Sequence, residues 1–180
     1  MLLKSGTIVD ATIIAAPPST KNEQGARDPE MRQTKKGKDW HFGTNAHVGT
    51  DRRGIVHGLS TTAANLHDST QMSKLLHGTE REVFGDQAYE SHRQAALAKG
   101  IRYRINRRPT HIALTPYQRL INRRRSAARA RVEHAVHVVK RLWGFNRVRY
   151  RGMMKNTARL YTSFALANLY LLRRRLLPAQ

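Results

Sequence analysis

The sequence predicts an α/β fold, a mixed five-stranded sheet flanked by helices, and three observations lead there. Strand-like segments come first: β-branched Thr7–Ile14, then Trp40–Val48 and Gly54–Ala63, separated by a short turn at Thr50-Asp51-Arg52-Arg53. From Ser69 onward, short helical and apolar segments alternate, the pattern of strand–helix–strand units. Finally, Arg125–Phe145 is Ala-rich, free of proline, and free of glycine until Gly144, which reads as a long helix with its stop.

In Thr7–Ile14, period-two alternation puts Ile8, Asp10, Thr12 and Ile14 on one face and Val9, Ala11 and Ile13 on the other. Residues 15–39 read as a polar loop with Pro17, Pro18, Gly25, Pro29 and Gly37 and no apolar period. Trp40–Val48 and Gly54–Ala63 form a hairpin. Ser69–His77 reads as a short helix stopped by Gly78, with Asp68 as its cap. Arg81–Tyr89 is a short strand ending in Gly85-Asp86, followed by a helix over Ser91–Lys99 and a fifth strand, Ile101–Ile105. Asn106–Arg125 reads as a basic connection interrupted by Pro109 and Pro116. After Gly144 comes a basic irregular stretch, then a final helix over 156–177 with Leu160, Phe164, Leu169 and Leu172 among its apolar positions. This element order matches a ribonuclease H-like layout, read as one domain over residues 1–180.

Composition restricts the partners. There are 33 Lys and Arg against 12 Asp and Glu, a net charge of +21, which points to nucleic acid before anionic membrane. The absence of cysteine excludes a disulfide frame and a zinc–thiolate site and fits a cytoplasmic setting, here a nucleoid-associated one. No signal-peptide pattern opens the chain. The most apolar late segment, Leu160–Leu172, is too short to span a bilayer, so no membrane role is expected.

Against that charge, isolated carboxylates stand out. Residues 101–180 hold 20 Lys and Arg and one acid, Glu133. On a helix, Ser126, Arg129, Glu133, His137 and Lys140 fall within about 40° of one meridian. Val132, Val136, Val139 and Trp143 form an apolar stripe beside that row. Glu133 is then either an ion-pair residue between Arg129 and His137 or a metal ligand on a nucleic-acid-facing surface. Asp10 inside a strand is either an edge residue or a functional one. Asp86 ends a strand, where open α/β sheets place ligands, and that placement favours a functional role over an ordinary turn or cap. In the ribonuclease H-like order the first and fourth strands are neighbours, so Asp10 and Asp86 would lie side by side, and a late helix would bring Glu133 to them. Three converging carboxylates repel one another. Two Mg²⁺ ions, with Mn²⁺ as a substitute, would remove that repulsion and suit phosphoryl transfer. Arg147, Arg149, Arg151 and Lys155 interleave with Tyr150, a composition suited to phosphate contacts beside a stacked ring. Lys35-Lys36-Gly37-Lys38 is a second candidate phosphate contact, with a solvated charge run the plainer reading of any single lysine in it.

The segments VDATIIAAPPSTKN, GARDPEMRQTKKG, WHFGTNAHVGTD, TAANLHDS, GDQAYES, RARVEHAVHVVKR and GFNRVRYRGMMKNTARLY together resemble bacterial insertion-sequence transposases of the DDE class, in the insertion-sequence-five-like group. The resemblance covers almost the whole chain. It implies metal-dependent DNA chemistry: water frees a 3′-OH at a transposon end, and that 3′-OH attacks target DNA. It implies Asp10, Asp86 and Glu133 as catalytic metal ligands. Arg129 and Lys140 match the family's Tyr–Arg–Glu–Lys signature around Glu133, while Ser126 stands at the Tyr position and Asn45 where Lys is frequent. The expected partners are double-stranded DNA at element ends and target, and further copies of the chain in a homodimer or higher oligomer. The family's usual N-terminal end-recognition region is expected to be absent, leaving little preference for terminal repeats. Two competing functions share the composition: a basic nucleic-acid-binding protein or transposase remnant without catalysis, and a nuclease of the same fold that cuts without joining.

Overall fold

The computed structural model describes residues 6–109 and 111–177. Its sheet has six strands: β1 (Thr7–Ala15), β2 (Arg32–Lys36), β3 (Asp39–Thr50), β4 (Val56–Ala63), β5 (Glu82–Gly85) and β6 (Arg102–Ile105). The order is β2-β3-β1-β5-β6, with β4 also paired to β3. Gly43 faces both Ala15 of β1 and Arg32 of β2, so β2 and β4 follow one another along the edge of β3 away from β1. The first four strands pair antiparallel; β1–β5 and β5–β6 are parallel. This is the mixed sheet of the ribonuclease H-like layout, with one strand added. The extra strand, β2, lies inside the stretch 15–39 that composition reads as a loop. Its RQTKK is polar on both faces, so no apolar period marks it, and pairing with β3 alone makes it a strand.

Each face of the sheet covers its own core. Ile8, Ile14, Ala46, Val48 and Leu59 meet Val132, Ala135, Val139, Leu160 and Phe164. On the other face, Val9 and Val83 meet Met72, Leu75, Tyr89, Ile101 and Tyr103. The first core is closed by α3 (Pro116–His137) and α4 (Met153–Leu176), the second by the short helices α1 (Met72–Leu75) and α2 (Arg93–Ala98). The β3–β4 turn lies against α3: Gly54 has φ +84°, and a side chain there would meet the Arg131 carbonyl at 2.6 Å.

Several boundaries differ from the sequence reading. Helix α3 begins at Pro116 rather than Arg125. Thr115 Oγ1 accepts from the Gln118 amide while the Gln118 side chain accepts from the Thr115 amide, a capping box with proline at the first turn. Proline here starts the helix instead of breaking the chain. After His137 the helix widens into a π turn, Val138–Leu142, where the Trp143 amide donates to the Val138 carbonyl. The widening moves the helix off a 100° period, so Val138 joins the core and Trp143 is 40% exposed rather than part of the stripe. The helices before and after β5 open with 3-10 turns, Asp68–Gln71 and Gln87–His92. His67, not Asp68, caps the first: its ring nitrogen accepts from the Ser69 amide at 3.3 Å. Helix α4 starts at Met153, and Leu169 is exposed. Among the described residues no helix is long and apolar enough to cross a membrane.

Candidate active site

Asp10 is not an edge residue. Strand β1 lies between β3 and β5, and Asp10 follows the point where β5 ends. The parallel register Thr7↔Val83 and Ile8↔Phe84, carried two residues further, sets Asp10 beside Asp86 on one face. Asp86 ends β5 in an extended conformation and caps the next turn, its carboxylate accepting from the Ala88 amide at 2.9 Å. Burial, reinforced by the negative charge of Asp86, pushes the Asp10 carboxyl above its ordinary value, although Arg129 and Lys36 pull the other way.

Helix α3 crosses this face. Arg129 brings a guanidinium nitrogen to 3.9 Å from Asp10. Lys140, carried inward by the π turn, donates to Thr12 Oγ1 at 3.0 Å and the Ile13 carbonyl at 2.8 Å. Burial, then the charges of Lys36 and Arg141, lower the Lys140 amine from its usual range. Glu133 occupies the same helical row between these two contacts. It is exposed, and among the described residues it makes neither an ion pair nor a hydrogen bond. The ion-pair reading of Glu133 therefore fails for Arg129, which turns to Asp10 instead. The structure brings Asp10 and Asp86 together with Arg129; Glu133, on the same helical row, makes no hydrogen bond or ion pair with them among the described residues.

The donor set suits a hard divalent cation. Asp10 and Asp86 offer only carboxylate oxygens, and Asp10 holds a charge that burial and a like-charged neighbour disfavour. Among the described residues, no three acidic or histidine side chains are placed to hold a metal ion together.

The basic segment after α3 reaches the same end of the sheet. The Ala15 amide donates to the Asn146 carbonyl at 3.1 Å and the Val148 amide to the Ala15 carbonyl at 2.8 Å, extending the end of β1. Buried Asn156 then shapes the loop, accepting from the Arg149 and Tyr150 amides and donating to the Tyr150 and Gly152 carbonyls. Asp28 and Glu30 accept from the Gly152 and Met153 amides at the start of α4, so the stretch 15–39 anchors this loop. Arg147, Arg149, Arg151 and Lys155 are exposed. An open groove of about 730 Å³ beside them is lined by Trp143, Phe145, Tyr150, Lys155 and Arg159, aromatic faces interleaved with cations.

A family model described as the transposase DDE domain matches residues 2–169. The chain belongs to that family. As a transposase domain it acts in general on DNA, which accounts for the +21 charge.

Sequence reasoning gives no site role to three residues near the acids of this transposase domain. Asp68 stands with its carboxylate 3.4 Å from the Asn45 amide nitrogen and 3.6 Å from His47 Nδ1. Burial, then the Asp86 charge, raises its carboxyl. His47 is fully buried, with Nε2 2.7 Å from Thr62 Oγ1. Burial, with the charge of Lys74, lowers its ring to about 4, so it is neutral and its approach to Asp68 is a polar contact, not an ion pair. Tyr89 is buried, and its amide donates to the Asp86 carbonyl. The segments TAANLHDS and GDQAYES contain Asp68 and Tyr89, yet the sequence reading makes Asp68 only a helix cap and gives Tyr89 no role.

Proposed function

We propose that this domain is a metal-dependent DNA transposase of the insertion-sequence-five-like group, cleaving at element ends and transferring the freed 3′-OH to target DNA. The observation that carries the reading is the meeting of Asp10 and Asp86 where β1 and β5 part, under a helix row bearing Arg129, Glu133 and Lys140. A purely DNA-binding surface has no use for paired, partly buried acids.

Asp10, Asp86 and Glu133 would hold Mg²⁺ or Mn²⁺. When bound, such ions supply Lewis-acid stabilisation of the phosphodiester and a nucleophile at neutral pH. Arg129 holds Asp10 in place and offers its remaining donors to a phosphate. Lys140, tied to Thr12 and Ile13, sets the backbone of the DNA along β1. Arg147, Arg149, Arg151 and Lys155 neutralise phosphates further along, with Tyr150 and Trp143 available to stack on a base or sugar. Two active sites acting on two element ends make a homodimer or higher oligomer on DNA the natural assembly.

The test is nicking of supercoiled plasmid with Mg²⁺ or Mn²⁺, against EDTA and against Glu133→Gln. Metal-dependent nicking that falls about a thousandfold in Glu133→Gln is expected, as for loss of a group acting on the reacting phosphate. A second reading, DNA binding without chemistry, draws on the exposed and unpaired state of Glu133. Tight binding with no nicking, unchanged by the substitution, would favour it.

A further inference from the structure

Tyr89 is a large buried side chain, 1% exposed, and among the described residues its hydroxyl has no hydrogen-bond partner. Everything else about it is anchored. Its amide donates to the Asp86 carbonyl at 3.2 Å, and its carbonyl accepts from the Tyr103 hydroxyl. Its ring packs on Gly85, where a side chain would meet Tyr89 Cδ2 at 3.1 Å. The ring is thus fixed next to Asp86, with a donor left over. Buried hydroxyls are normally paired, so an orphan donor beside acids wants an acceptor that arrives later.

The acceptors at hand are carboxylates. After burial, the charges of Asp68, Asp10 and Asp86 push the Tyr89 hydroxyl up, in that order. A second orphan points to the same place: fully buried His47 Nδ1 has no hydrogen-bond partner among the described residues and stands 3.6 Å from Asp68. Among the described residues, two buried polar atoms without partners therefore lie on the side of the sheet opposite α3, one of them against Asp68.

We propose that Tyr89 is a positioning residue for the carboxylate site, backed by Asp68: its hydroxyl, unpaired in the free protein, donates to the carboxylates once a divalent cation draws them together. Such outer partners fix the orientation of ligating carboxylates and commonly tune metal affinity. The inference rests on the metal-site reading above and adds two residues to it.

Mn²⁺ binding to the full chain, followed by electron paramagnetic resonance without DNA, tests it alongside thermal melting in EDTA. Tyr89→Phe is expected to weaken Mn²⁺ binding about 10- to 100-fold. Its metal-free melting midpoint should stay level or rise, since only an orphan donor is lost. Asp68→Asn should weaken binding similarly, and the double variant should lose less than the product of the two. Mn²⁺ affinity within twofold of the parent in Tyr89→Phe, or a lowered midpoint with unchanged affinity, overturns the proposal, as does full additivity of the two variants. Asp10→Asn separates the two levels. If the parent binds Mn²⁺ through Asp10 and Tyr89→Phe does not matter, only this inference falls. If the parent shows no Asp10-dependent binding, the metal-site reading falls and this inference with it.

Discussion

Strand β5 has acids at both ends, and the two ends treat them differently. At its start, Glu80 and Glu82 are buried and saturated. Glu80 accepts from Thr7 Oγ1 and from the His77 and Gly78 amides. Glu82 meets Arg52 at 2.9 Å, Arg104 at 3.2 Å and Arg102 at 4.0 Å. At the other end, among the described residues, Asp10 has one cation at 3.9 Å, Asp86 accepts from the Ala88 amide, and Tyr89 has a hydroxyl with no partner. A buried acid whose oxygens are all engaged is part of the scaffold. Acids left short of partners beside one another have capacity for something that binds.

Three experiments break or sharpen that contrast. The largest effect is expected from Asp10→Asn, which should lower metal-dependent nicking about a thousandfold or more without a stability loss. Because burial raises the folded-state value of Asp10, the folded protein holds that proton more tightly than the unfolded chain. Its contribution is therefore most favourable at low pH and declines as pH rises through the raised value. Removing the charge should leave the melting midpoint at pH 7 level or higher; a clear drop with nicking retained would place Asp10 with the scaffold acids.

Glu82→Gln should do the reverse. Its arginine partners face solvent and recover hydration, so the loss should be about 2 kcal/mol rather than that of a fully buried pair, with nicking at permissive temperature within twofold of the parent. Urea unfolding and the plasmid assay together decide it. Loss of nicking at full stability would undo the contrast.

The smallest effect concerns His47. Its folded value, about 4, lies below the ordinary 6.5, so the unfolded chain takes up the proton first as pH falls. Stability is present above 6.5 and is lost as pH descends toward 4. Between pH 7 and 5.5 the loss should be about 1 kcal/mol, and His47→Gln, which retains a donor for Thr62, should flatten it. An unchanged slope would show that His47 takes up its proton as readily in the folded protein as in the unfolded chain.

The sheet was legible wherever side chains alternate or β-branched residues cluster, as in Thr7–Ile14 and the β3–β4 hairpin. Strand β2 was not, because its residues are polar on both faces and only its neighbour makes it a strand. The start of α3 was readable in Thr115-Pro116-Tyr117-Gln118, a capping box that the weight given to Pro116 obscured. Asp10 and Asp86 were legible as acids in unusual places. Asp68 was misread because Asp before a helix is so often a cap; here His67 takes the cap and frees Asp68 for Asn45 and His47.

The sequence alone determined the basic character of the chain, the order of its elements and the candidate acids, since charge and periodicity are local properties. Tertiary structure decided which acids meet. Asp10 and Asp86 are brought together by a parallel register between strands far apart in the chain. A π turn directs Lys140 onto β1, and packing leaves Tyr89 with an unused donor. Those outcomes depend on long-range pairing and burial, and no window of residues contains them.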